Sequence, residues 1–388
     1  MFSPSTLGEI LKLLPRDKIS RLVDSHGSDR WCKRFRTWDH LVAMVTGQLS
    51  GVSSLRDVEV LFDAHRAQHY HLHCKGVKRS TLADANISRD YRVFADIAQE
   101  MIARSRRKGR DVKNLLSVLD SSPIVLAGRG LEWAAKSRSR PGNQGLKLHL
   151  LFMPGDGDID YTAITDMNIN DISDARDMKL ESGRIYVFDK GYYDYNWWCE
   201  IIEKGSHFVT RAKKNAAYKV LETRPLRTGE DDNILTDQVI TLTNKAPRGG
   251  KINTLAGRRL RLVGIAHPGG KNRPFLIISD MMDASASEIA AHYKARWSIE
   301  ILFKWIKQNL KIKRFMGESR NAILIQIFIA IIAYLLIRAY KNLLGDSHTG
   351  RLKDLIVSLK TSLFQPRQKH TRRRICTALE QQEFWSFP

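Results

Sequence analysis

Cysteine is scarce: Cys32, Cys74, Cys199 and Cys376 lie far apart and no two form a CxxC pair. That excludes a disulfide framework and predicts reduced, structural thiols in a cytoplasmic protein. An export signal is lacking too, because MFSPSTLGEILKLLPRDK holds no apolar stretch ending in a small-residue cleavage site. Acids are in the minority, 41 Asp and Glu against 63 Lys and Arg, which leaves a formal charge of +22. Such a surplus makes nucleic acid the first partner to consider, ahead of a charge that serves only solubility. Long apolar runs are almost absent. The exception, AILIQIFIAIIAYLLI at 322–337, falls short of the roughly 20 residues of a membrane span and carries Gln326, so a buried helix is expected.

The 388 residues exceed the ~250 at which a single core stops growing, and predict two or three domains. Residues 1–110 read as helical: SPSTLGEILKLLP and SLRDVEVLFDAH each pair a Ser cap, Ser54 in the second, with a periodic apolar face. In KRSTLADANISRDYRVFADIAQEMIARSRRK, Ser80 is a possible cap and Asn86 marks a turn. Two helices there, with Lys78, Arg79, Arg89 and Arg92 nearby, fit either a helix-turn-helix reader of DNA or an ordinary helical bundle. His65, His69, His71, His73 and Cys74 alternate as metal ligands on one strand face would, but no second ligand cluster follows. A polar surface segment is therefore expected.

After the basic hinge RSRRKGRD, residues 111–205 become α/β: NLLSVLDSSPIVL, GLKLHLLFMP and DIDYTAITD read as strands, DISDARDMK as a helix, and GRIYVFDKGYYDYNWWCEIIEKG as strand, loop and helix. Residues 206–284 read as a β-rich insertion, from HFVTRAKK, NILTDQVITLT, RRLRLVGIAH and RPFLIISDM with Gly and Pro between them. Helix returns over 285–345, and 346–388 is a basic tail that stays solvated or touches phosphates.

Two acids stand at the ends of buried strands, Asp120 in SVLDSS and Asp189 in YVFDKG. Each could cap a turn, but an unpaired buried carboxylate is costly. A third, Glu300, lies in HYKARWSIEILFKWIKQNLK among Lys294, Arg296, Lys304, Lys307 and Lys311. Read as one helix from Tyr293, with about 100° per residue, the segment puts Arg296, Glu300 and Lys307 at about −60°, −20° and −40°. These side chains share one face, and Ile299, Phe303 and Ile306 supply an apolar one. Three carboxylates suit two magnesium ions about 3.5–4 Å apart, which hold the attacking and leaving oxygens of a phosphodiester. The surrounding bases suit its phosphates.

The spacing Tyr293-x2-Arg296-x3-Glu300-x6-Lys307, with DSS at Asp120 and DKGYY at Asp189, resembles the DDE transposases of bacterial insertion sequences, in the insertion-sequence-four family. The resemblance covers most of the chain. It implies a ribonuclease H-like core interrupted by a β-rich insertion and preceded by a helical DNA-binding domain. It further implies Asp120, Asp189 and Glu300 as catalytic ligands of two Mg2+ ions, for which Mn2+ substitutes, and Tyr293, Arg296 and Lys307, with Lys304 beside them, as DNA contacts. The implied partners are terminal inverted repeats and target DNA, bound by a homodimer. Trp297 occupies an aromatic position of that family and is expected in the core.

Other motifs lead elsewhere. DGDIDYTAITDM begins like a calcium loop at Asp156, Asp158 and Asp160, but Tyr161 and Met167 replace its Gly and Glu, so a turn between strands is expected. Ser121 and Ser122 lack the G-x-S-x-G elbow of a nucleophile and are read as hydroxyls that support Asp120. A nuclease of the same fold without strand transfer, and a DNA-binding regulator with idle acids, remain open alternatives.

Overall fold

A computed structural model describes residues 5–106, 115–128, 130–137, 142–226, 233–244, 252–266, 274–310, 312, 314–345 and 352–366. Cys376, the tail beyond Pro366, Lys311 and positions 107–111 of the basic hinge lie outside them. Seven helices come first: α1 (Thr6–Leu11), α2 (Arg16–Ser25), α3 (Thr37–Ser50), α4 (Leu55–Ala64), α5 (His69–Leu72), α6 (Arg79–Ser88) and α7 (Arg92–Arg106). Ser5 caps α1 through Gly8 N, and Ser54 caps α4 in a reciprocal box with Asp57.

The cluster of histidines falls on a 3-10 turn and α5, so these residues do not alternate along a strand. Between α6 and α7 the picture is a bundle. Lys78, without a side-chain capping bond, stands where α6 begins, and Ser80 lies inside the helix. Asn86 lies within α6, buried, its Oδ1 2.9 Å from His40 Nε2, and the turn comes at 89–91. Arg89 is buried, donating to Phe35 O and His40 Nδ1, and Lys78 and Arg92 pair with Glu59 and Asp90. Arg89 is thus committed to packing.

The sheet follows. Its strands are β1 (Leu115–Leu126), β2 (Gln144–Met153), β3 (Asp158–Asp166), β4 (Arg184–Phe188), β5 (His207–Arg211), β6 (Tyr218–Thr223), β7 (Ile234–Leu242), β8 (Leu260–Ile265) and β9 (Phe275–Ser279), with α8 (Asp171–Asp177) and α9 (Tyr195–Glu203) between β3 and β5. All nine form one mixed sheet in the order β3-β2-β1-β4-β5-β9-β8-β7-β6. β1, β4 and β5 are mutually parallel neighbours and the other pairings are antiparallel. The turn at 154–157 joins β2 to β3, as the defective calcium loop predicts. β5, grouped by sequence with the insertion, pairs with β4.

Strand alternation separates two cores. Val118, Ile185, Val187 and Val209 face one that includes the apolar helix, whereas Leu119, Tyr186, Phe188 and Phe208 face another built on Trp197 and Trp198 of α9. The chain closes with α10 (Ala286–Lys294), α11 (Trp297–Asn309), α12 (Arg320–Leu344) and α13 (Leu352–Ser362). α12 is long and apolar enough to cross a membrane, yet 89% of its most apolar window is buried inside the protein, against α3, α7 and β3 among others. Its apolar character all round follows from that enclosure.

Candidate active site

Parallel pairing of β1 with β4 ends at Leu119↔Phe188, so Asp120 and Asp189 follow side by side. The twofold alternation that sends Val118 and Val187 to the α12 side carries both acids to the same face. Asp120 is not at a strand end: β1 runs six residues further, paired with β2 through Leu126↔Gln144. What ends beside Asp120 is its partner β4.

α11 packs over β1 and delivers Glu300 in its first turn. The segment read as one helix is two, α10 and α11, joined at Ala295 and Arg296. Ser298 supplies the reason. Its hydroxyl donates to Ala295 O at 2.7 Å, and Ile299 N turns to Arg296 O at 3.3 Å instead of the carbonyl four residues back. Arg296 keeps right-handed backbone angles, so the joint is a tightened turn and the predicted face partly survives. The Arg296 guanidinium lies 5.8 Å from the Tyr293 ring centre, 2.6 Å from Glu300 Oε1 and 3.7 Å from Asp120 Oδ2.

Burial pushes the Asp120 carboxyl up to about 7; its bond from Ser121 N and the Arg296 charge oppose this, and the charges of Asp189 and Glu300 add to it. Asp120 therefore feels the charge of both other acids. Oxygen-only donors with excess negative charge fit a hard divalent cation. Among the described residues no three carboxylate, His or Cys groups are near enough to share one ion, and Arg296 holds the place between Asp120 and Glu300. A guanidinium there stands in for the positive charge the acids require.

Both hydroxyls after Asp120 are engaged, on opposite faces. Ser121 donates to Asp171 Oδ1 of α8 at 2.7 Å, and Lys147 of β2 donates to the same oxygen at 2.8 Å. Ser122 faces α11 and accepts from Lys307 Nζ at 2.7 Å, with Pro123 O accepting at 2.8 Å. Asp171 escaped the sequence reading because NDISDARD holds three acids and no spacing singles one out. It also explains a glycine in DKGYY: a Cβ on Gly191 would meet Asp171 Oδ2 at 3.2 Å.

Lys304 is exposed on α11. Tyr293 is only 8% exposed, its ring 5.3 Å from that of Phe275, and burial raises its phenol to about 12. Trp297 contradicts its core expectation. It is 60% exposed at the start of α11, because the joint at Arg296 rotates it away from the apolar face that Ile299 and Phe303 occupy.

Residues 113–336 match the family described as Transposase DDE domain, which is more than half of the chain and contains all three acids. The chain belongs to the DDE transposase family. Residues 3–75 match a second family, described only as a domain of unknown function (DUF4372). The chain is 38% identical over 263 residues to "Putative transposase y4zB" of Sinorhizobium fredii, covering 66% of this chain and 70% of that protein. It is 26% identical over 247 residues to "Probable transposase for insertion sequence element IS5377" of Geobacillus stearothermophilus, covering 64% and 62%. Among solved structures, the piggyBac transposase synaptic complex with hairpin DNA aligns over 92% of this chain and 79% of its own, with a TM-score of 0.52 at 11% identity. That likeness speaks to the mixed α/β fold alone.

Proposed function

We propose that this family member cuts DNA strands at the terminal inverted repeats of an insertion sequence and joins the freed 3′ ends to target DNA. The observation that carries this reading is that Asp120 and Asp189 follow the last β1–β4 pair side by side, with Arg296 between Asp120 and Glu300 of α11. The strand order β3-β2-β1-β4-β5, with β1, β4 and β5 parallel, supports a ribonuclease H-like core. The Tyr293, Arg296, Glu300 and Lys307 spacing supports the insertion-sequence-four group.

Asp120, Asp189 and Glu300 would hold two Mg2+ ions, or Mn2+ in their place. When bound, these supply Lewis-acid activation of the attacking oxygen and charge stabilisation of the leaving one. Arg296 then turns from the acids toward a phosphate, and its planar fork suits that exchange. Lys307, fixed by Ser122 and Pro123 beside the acid-bearing strand, and Lys304, exposed on α11, add positive charge to the backbone path. Tyr293, only 8% exposed, would touch DNA through the small part of its surface that stays open. The protein works in the cytoplasm, and two copies pair the two ends.

Labelled terminal repeats incubated with the protein, Mg2+ and a target plasmid test the reading. Cut ends and joined products are expected. Cutting without joining would favour a nuclease of the same fold, and binding without cutting would defeat the enzymatic reading.

A further inference from the structure

We infer that the region matching the domain of unknown function carries a separate groove for single-stranded DNA. The inference rests on the reading that the chain acts on DNA but involves none of the three acids. A cavity of about 420 Å3 lies between the loop before α3 and the α5 segment, lined by Arg34, Arg36, Trp38, Tyr70, His73 and Lys75 among others. The loop itself, RWCKRFR at 30–36, sets two aromatic rings among four cations.

Three features make this more than a solvated basic surface. Two large aromatic side chains of this region are out in water: Tyr70, which lines the cavity, is 84% exposed, and Trp31, in the loop that supplies Arg34 and Arg36 to the lining, is 87% exposed. Rings of that size gain most from burial, and each presents a face on which an unpaired base stacks. Next, Arg34, Arg36 and Lys75 form no ion pair among the described residues, whereas nearby Arg66 and Lys78 are paired with Asp63 and Glu59. Unspent positive charge is what a phosphate backbone requires.

Finally, the walls are fixed in advance. Asp39 accepts from Arg36 N through one carboxylate oxygen and from Lys75 N through the other, both at 2.9 Å, tying loop and α5 segment together. The loop is also anchored by buried Arg89 on Phe35 O and by Asp29 on Thr37 N. Trp38 is held in its wall by a bond from its Nε1 to Leu72 O and by the Arg16 guanidinium 4.3 Å over its ring. Ordering the site on binding therefore costs little.

Shape selects the strand. Duplex readers project a helix or ribbon into a groove of DNA, but this surface is concave and takes in a base or a nucleotide. A single strand, with bases free to turn inward, is the form of DNA that fits.

The test uses the full chain and fluorescein-labelled oligo(dT), with fluorescence anisotropy in EDTA so that no cutting intervenes. Tyr70→Ala and Trp31→Ala should each weaken binding about tenfold, and Tyr70→Phe should restore it, since stacking needs the ring and not the hydroxyl. Arg34→Ala with Arg36→Ala should lower the slope of log affinity on log salt by about 0.7 for each cation. Both aromatic residues are exposed, so melting temperatures should be unchanged, which separates lost contact from lost fold. Asp189→Asn should bind oligo(dT) like the parent, so failure of the catalytic reading is distinguishable from failure of this one. Unchanged affinity in Tyr70→Ala and Trp31→Ala, or competition by random duplex as effective as by oligo(dT), would overturn the groove.

Discussion

Two carboxylates of one sheet, on strands β3 and β1 that both flank β2, have opposite surroundings. Asp160 of β3 is 1% exposed and bound by two arginines, Arg106 from α7 and Arg184 from β4, the latter at 2.6 Å and itself tied to Glu181 and Ser117. Asp120 of β1 shares one arginine with Glu300 and lies near Asp189, so negative charge outnumbers positive around it. The first cluster closes on itself and fastens the helical segment to the sheet. The second keeps an excess of negative charge, the arrangement that the proposed metal-dependent chemistry would use.

Substitutions should separate the two clusters, and the largest effect belongs to the second. Glu300→Gln or Asp189→Asn should abolish strand cleavage while leaving terminal-repeat binding nearly intact. Cutting at the parent rate by either variant would remove the acids from the mechanism. In the first cluster, Arg184→Met leaves Asp160 with half of its pairing and should lower stability by about 3–5 kcal/mol, read from denaturant midpoints. A loss under 1 kcal/mol would mean that Arg106 alone suffices.

A pH series in EDTA sharpens the contrast. The folded-state pKa of Asp120 is raised to about 7 from 3.8, so the folded form retains a proton that the unfolded form has lost between those values. Stability should therefore fall as pH rises from about 4 to 7, with the penalty fully present above 7. Asp120→Asn should flatten that slope, and a slope unaltered by the substitution would place its origin elsewhere. The smallest effect is expected from Lys307→Ala, which removes one phosphate contact and should reduce the salt slope of duplex binding by about 0.9. An unchanged slope would restrict Lys307 to bracing Ser122 and Pro123.

The same contrast explains what was legible in sequence. β2, β3 and the apolar helix could be read because burial leaves a local pattern: DIDYTAITD alternates, and AILIQIFIAIIAYLLI is apolar throughout. Asp120 and Asp189 stood out as charges interrupting such patterns. Other features are settled by partners distant in sequence. Nothing within SVLDSSPIVL says that β1 continues past Asp120, since that depends on β2 pairing as far as Gln144. Asp171 gains its place from Ser121 and Lys147, fifty and twenty-four residues away. The turn at Arg296, which exposes Trp297, comes from one serine hydroxyl that helical periodicity ignores. β6, absent from the sequence reading, is an exposed edge strand without apolar alternation.

The central claim is that Asp120, Asp189 and Glu300 take a divalent cation in place of the Arg296 guanidinium. Crystals of the protein with cleaved terminal DNA and Mn2+, measured at the manganese edge, test it directly. Anomalous peaks about 2.1 Å from oxygens of all three acids, with Arg296 withdrawn onto a phosphate, are the predicted result. Peaks absent from that face, with Arg296 still on Glu300, would contradict it.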